Sequence, residues 1–141
     1  MTPEEMAVKQ RSPFDKLIDL KVIEASAHRV VARLEVDPDK HTQPYGIVHG
    51  GVYCAMAETA ASIGAALALH DDGDSGAVGQ SNHTDFLRAT RSGTLTAVAV
   101  PSHVGRSVQL WQVGITDGDG HLVAQSKVRM FNVGVGRITE G

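Results

Sequence analysis

The chain has one cysteine, Cys54, among its 141 residues, so no internal disulfide can form and the fold must rest on packing alone. Set in a run of small residues, Cys54 reads as an inert core thiol. Aromatic residues are scarce, with three Phe, two Tyr and one Trp, and no basic block is present. Together with a formal net charge of −3 and a pI near 6.1, this argues against nucleic acid as the main partner. An anionic ligand would have to be held by local arginines. The opening stretch MTPEEMAVKQR carries acids and no apolar run, so neither a secretory signal nor a membrane anchor is visible, and the cytoplasm is the simplest location. Repeats, linkers and low-complexity tracts are also missing. Residues 1–141 therefore read as one domain, long enough to bury roughly two-thirds of the surface its unfolded form exposes.

What the chain does have is one long apolar segment, HGGVYCAMAETAASIGAALALH, starting at His49. Val52, Ala55, Met56, Thr59, Ala60, Ile63 and Leu67 recur at steps of three and four, which predicts a helix over 50–69. The other faces are hardly more polar, so the helix should be wrapped by other structure. At about 18 residues, bounded by histidines and acids, it reads as a core helix rather than a membrane span. Within 52–69 the only charge is Glu58. A carboxylate in such a place must be paired, protonated or functional, because burying it uncompensated costs several kcal/mol.

The rest of the chain is organised around that helix. Thr2-Pro3-Glu4-Glu5 has a cap residue, proline at the first helical position and glutamate three after the cap; Ser12-Pro13 opens a second such pattern, with Phe14, Leu17 and Ile18 as its apolar side. An N-terminal helical segment over 1–20 is expected. The period then changes to two, with Val30, Ala32, Leu34 and Val36 alternating with Val31, Arg33 and Glu35 until Asp37-Pro38-Asp39. After the helix comes a loop, Asp71-Asp72-Gly73-Asp74-Ser75-Gly76, and then strand-like segments over about 77–90, 94–103, 107–116 and 121–134. Asp117-Gly118-Asp119-Gly120 marks a hairpin turn between the last two. One long apolar helix followed by antiparallel strands, with two or so strands before it, is an α+β layout. The sheet must curl around the central helix, which is the hotdog architecture.

Glycines at 50 and 51 open the helix where backbone N–H groups are unpaired and the dipole end is positive, so a carbonyl oxygen gaining negative charge would be stabilised there. Glu58 lies eight residues further on, roughly 12 Å along the axis at about 1.5 Å per residue. It cannot reach a carbonyl held at the start of its own helix. A two-fold dimer with antiparallel central helices would bring Glu58 of one subunit to Gly50 of the other and make two shared sites. Ser62, one turn after Glu58, shares its face and can orient the carboxylate or a water.

Gln43-Pro44-Tyr45-Gly46-Ile47-Val48-His49-Gly50-Gly51 through Glu58, followed by Gly79-Gln80-Ser81-Asn82-His83-Thr84-Asp85-Phe86-Leu87-Arg88 and His103-Val104-Gly105-Arg106-Ser107, resembles the hotdog-fold acyl-CoA thioesterases. The similar branch is that of the phenylacetic-acid-pathway and 4-hydroxybenzoyl-CoA thioesterases with the acid on the central helix. The resemblance covers most of residues 15–133. It implies hydrolysis of an acyl-CoA, with aromatic acyl groups favoured, by Gly50 N–H polarising the carbonyl and Glu58 of the partner acting as nucleophile or general base. Gln43 would donate to the carbonyl or the water and His49 would support the loop. Gly51, Arg88, Gly105, Arg106, Ser107 and, by a looser match, Arg137 would bind the CoA portion, while Asn82 and His83 would hold the site together. No metal and no cofactor beyond the CoA of the substrate are expected, and tetramers are implied as pairs of dimers. Two rival readings share the fold: an acyl-CoA dehydratase or hydratase, and a non-catalytic acyl-CoA-binding protein.

Overall fold

The computed structural model describes residues 1–69 and 73–140, so the acidic pair Asp71-Asp72 of the loop lies outside the described residues. Two short helices come first, α1 (Pro3–Lys9) and α2 (Pro13–Leu17). Thr2 forms the anticipated capping box with Glu5, and the Ser12 hydroxyl accepts from the Asp15 N–H. The burial of α2 differs from the expectation. Phe14 and Leu17 are exposed, at 55% and 70%, and it is Asp15 that turns inward, at 7%. The short apolar pattern identified the helix but not the side on which the core lies.

Strands β1 (Lys21–Ala25) and β2 (Val30–Glu35) lead into a helical turn, α3 (Pro38–His41), capped by the Asp37 carboxylate, so Asp37-Pro38-Asp39 both ends the strand and starts a helix. The central helix α4 runs Gly50–Ala68. It is followed by β3 (Ser75–Phe86), β4 (Thr94–Val104), β5 (Val108–Thr116) and β6 (Leu122–Gly134), with a last helix, α5 (Val135–Glu140). These strands fall within a few residues of the expected segments; only 87–90 leave the first of them. All six form one antiparallel, unclosed sheet in the order β1-β2-β4-β5-β6-β3, packed around α4 in the hotdog fold.

Small residues let α4 sit close to the sheet. Met56, Ala57, Ala60, Ala61 and Ala65 are fully buried, and burying a side chain the size of Met56 contributes about 1.5–3 kcal/mol. Gly64 has no alternative, since a Cβ there would stand 2.3 Å from the buried Trp111 ring. Trp111 donates its indole N–H to Gln109 Oε1, and Gln109, also fully buried, donates to Ala65 O and to Asn132 Oδ1. Asn132 in turn donates to the carbonyls of Gly105 and Arg106, so one satisfied polar chain links the helix to the β4–β5 turn.

Strand β3 contains the irregularity that matters most for the site. Its pairing with β6 shifts between Gly79 and Ser81, so one residue is extra there. Before the shift Ala77 and Gly79 face the helix; after it, Asn82 does. Both Gly79 and Asn82 therefore come against α4 although they are three positions apart.

Candidate active site

Glu58 is half-buried on α4 under β3. Its Oε1 accepts from Asn82 Nδ2 at 3.3 Å and its Oε2 from the Ser62 hydroxyl at 3.4 Å. The Asn82 amide is oriented by its other contacts: Nδ2 also donates to Cys54 O at 3.0 Å, and Oδ1 accepts from the Thr84 hydroxyl at 2.7 Å. Gly79 gives the carboxylate its space, because a Cβ at that position would lie 2.2 Å from Glu58 Oε2. Among the described residues no Lys, Arg or His forms an ion pair with Glu58. The acid is thus held by neutral donors beside an open cavity of about 370 Å³ that Ser62 and Thr59 also line.

At the other end of the helix, His49 is the N-cap and its Nδ1 accepts from Gly51 N–H at 2.8 Å. His49 is anchored through its own N–H to the His41 carbonyl at 2.8 Å. His41, fully buried, accepts the Asp37 N–H at Nδ1 and therefore donates from Nε2 to Ile18 O. That histidine, unremarked in the sequence, ties α2, α3 and the helix entry together. Val52 N–H returns to His49 O, whereas Gly50 N–H meets no acceptor among the described residues. The two glycines therefore differ: Gly51 is spent on the cap, and Gly50 keeps a free donor at the positive end of α4.

Gln43 lies beside it. Its side-chain oxygen accepts from Tyr45 N–H, which leaves the Nε2 hydrogens as free donors. Gln43, Gly50 and Arg88 line one cavity of about 310 Å³ together with Tyr53 and Phe86. The sequence singled out neither aromatic. A Cβ on Gly50 would lie 2.7 Å from the Phe86 ring, so this residue roofs the helix start. Tyr53 and Phe86 rings stand 6.0 Å apart, and the Tyr53 hydroxyl is buried without a hydrogen bond. Burial pushes the Tyr53 phenol above its ordinary value.

The remaining expected residues distribute unevenly. Arg106 and Ser107 sit in the β4–β5 turn, whose neighbours pair with the C-terminal end of β6, so they lie at the opposite end of the sheet from Gly50 and Arg88. Gly105 is required in that turn because a Cβ would meet Val108 O at 2.9 Å. The Arg137 side chain lies outside the described residues, although its backbone belongs to α5. His83 alternates with Asn82 and points away from Glu58; it is exposed and lies 3.3 Å from Asp85 on the outer face. Within one chain, then, the donors (Gln43, Gly50) and the acid (Glu58, Ser62) line separate cavities.

The sequence model of the thioesterase superfamily matches residues 45–124. An esterase of Mycobacterium tuberculosis is 44% identical over 122 residues, 86% of each chain, and its solved structure superposes with a TM-score of 0.84 at 42% identity over 87% of this chain and 98% of that one. The 1,4-dihydroxy-2-naphthoyl-CoA hydrolase of Listeria monocytogenes is 36% identical over 114 residues, 81% of this chain and 90% of that one. A thioesterase of Haemophilus influenzae superposes with a TM-score of 0.85 at 28% identity, covering 96% of this chain and 92% of that one. The chain belongs to the thioesterase superfamily and is a thioester hydrolase.

Proposed function

We propose that this protein hydrolyses acyl-CoA thioesters, aryl-CoA in particular, in sites shared by two subunits. The observation that carries the reading is the separation just described: the free Gly50 N–H and the Glu58 carboxylate line different cavities of one chain. Glu58 is tethered to β3, and β3 is an edge of the sheet, with its outer side unpaired along 12 residues. Two-fold pairing of β3 edges runs the two α4 helices antiparallel and carries Glu58 of the partner subunit toward Gly50.

In that arrangement Gly50 N–H and the Gln43 amide donate to the thioester oxygen as it gains negative charge. Glu58 of the partner subunit, oriented by its own Asn82 and Ser62, attacks the carbonyl carbon or deprotonates the water that does. Direct attack expels CoA thiolate and leaves a mixed anhydride, which water hydrolyses. Arg88 and, from the other end of the partner's sheet, Arg106 and Ser107 face the CoA phosphates, to which a guanidinium gives bidentate bonds. The aryl preference rests on the relatives named as 1,4-dihydroxy-2-naphthoyl-CoA hydrolases. Pairs of such dimers would form a tetramer, and the cytoplasm is the compartment that suits a CoA ester.

The test is subunit complementation. Glu58→Gln removes the acid and Gly50→Pro removes the donor; the backbone suits proline at the first helical position after the extended His49, and its Cβ displaces the exposed Phe86 ring that it would meet at 2.7 Å. Each homodimer should release no thiol from benzoyl-CoA. A mixed dimer retains one intact site and should recover about half the wild-type rate per dimer. No recovery on mixing would overturn the shared site. A single turnover in oxygen-labelled water, followed by mass analysis of Glu58, separates anhydride from general-base chemistry, since only the anhydride route carries label into the carboxylate.

A further inference from the structure

The cavity beside Glu58 has a second acidic wall. Glu58, Thr59 and Ser62 of α4 form one side, and Gln10, Ser12 and Asp15 of the N-terminal segment form the other. Asp15 is 7% exposed, on the inward side of α2. Its carboxylate receives one hydrogen bond, from the Thr59 hydroxyl to Oδ1 at 2.8 Å. An ionised carboxylate can accept about four.

The nearest cation does not supply the rest. Arg11 spends its guanidinium on backbone, donating to Leu20 O at 3.1 Å and to the Asp15 carbonyl at 3.4 Å, and no basic side chain among the described residues pairs with the Asp15 carboxylate. Arg11 thus fixes the position of α2 and leaves the second oxygen of the Asp15 carboxylate without a protein donor among the described residues. Asp15 therefore brings unused acceptor capacity to a space that also borders Glu58.

We propose that Asp15 is a specificity-determining residue for the acyl group, admitting an acyl end that carries a hydroxyl donor and rejecting one that carries a carboxylate. This rests on the thioesterase reading, with the acyl group lying in the cavity beside Glu58. A hydroxyl completes the Asp15 acceptor set. A carboxylate brings a third negative charge into a cavity already bounded by two, and like charges at close range are a means of exclusion.

Three thioesters of matched size test this: 4-methylbenzoyl-, 4-hydroxybenzoyl- and 4-carboxybenzoyl-CoA, with the 3-substituted set beside them. In the better-fitting set, wild-type kcat/KM should rank hydroxyl over methyl by about tenfold or more, the gain expected of a hydrogen bond to a charged group, with carboxyl last. Asp15→Asn should shrink both gaps by about tenfold while the methyl compound changes little. Equal kcat/KM across both sets in the wild type, or an Asp15→Asn effect equal on all three compounds, would overturn the proposal. Turnover and selection are read separately by measuring calorimetric affinities of the same thioesters for Glu58→Gln, which keeps Asp15. Absence of thiol release by the wild type overturns the reaction; a Glu58→Gln protein that binds methyl and hydroxyl compounds equally overturns the role of Asp15, whether or not Asp15→Asn folds.

Discussion

Asn82 Nδ2 stands 3.3 Å from Glu58 Oε1 and 3.0 Å from Cys54 O, so one amide fixes both the acid and the helix that carries it. Removing it frees the carboxylate to rotate. A hydrogen bond to a charged group is worth about 1.5–3 kcal/mol, so Asn82→Ala should lower kcat by roughly 10- to 100-fold. KM should stay within a few-fold, because Asn82 touches the acid and not the cavity of Gly50; steady-state thiol release separates the two parameters.

Gly79→Ala tests the same acid from the opposite side. The new Cβ would fall 2.2 Å from Glu58 Oε2, the free end of a flexible side chain, so the carboxylate moves and the strand survives. The expected result is a folded protein, with its melting temperature within a few degrees of wild type, that has lost at least about tenfold in kcat. Circular dichroism melting and thiol release measure the two effects.

Gly64→Ala should do the reverse. The collision is with Trp111 at 2.3 Å, inside a fully buried hydrogen-bonded group that cannot swing away. Overpacking of this kind costs about 1–3 kcal/mol, more than the roughly 1 kcal/mol that alanine gains over glycine in a helix. Denaturant unfolding should show a lower midpoint with an unchanged slope, and kcat per folded molecule should be retained.

Asp117 makes stability depend on pH at the acid end. Its carboxyl is held below the usual carboxylate range, first by the backbone N–H of His121 and then by that of Asp119. A lowered folded-state pKa means that the ionised form stabilises the hairpin above about pH 3.8, and that this contribution is lost as pH falls through the lower native value. Melting temperatures of wild type and Asp117→Asn should therefore differ at pH 6 and converge below pH 3.8. Asp119 and His121 approach Asp117 closely enough to suggest a cation site, but the hairpin's own N–H groups already occupy Asp117 Oδ1.

The fold was legible because its two periods are clean. Apolar steps of three and four over 50–69 and Gly/Asp turns between alternating segments leave few other arrangements for α4 and β3 to β6. The proposed reacting pair rests on local signals too, a lone charge in an apolar helix and glycines at its start. What stayed hidden depends on partners distant in sequence. Asp15 looked like a surface residue beside Phe14 and Leu17 until Thr59 was found to bond it. His41 carries no motif, and its burial follows only from the Asp37 and Ile18 backbone atoms around it. Gln109 reads as a solvent-facing member of an alternating strand, yet it is sealed inside by Trp111, Asn132 and Ala65 O. Phe86 is an ordinary strand residue until Gly50 is placed beneath it. Asn82 and His83 looked equivalent as neighbours; the shift in β3 pairing decided which of them met the acid.

That shift has a consequence for how the chain can vary. The stretch between Gly79 and Asn82 carries one residue more than regular pairing needs, and that surplus is what lets two positions an odd number apart share the inward face. A substitution at Gln80 should pass almost unnoticed, and so should its deletion, which leaves Gly79 and Asn82 on one face; a one-residue slip that irons out the bulge with Gln80 retained would instead turn Asn82 outward and strip Glu58 of its amide. For a descendant of this sequence, the pairing register of β3 is a form of information that a residue-by-residue comparison would not display.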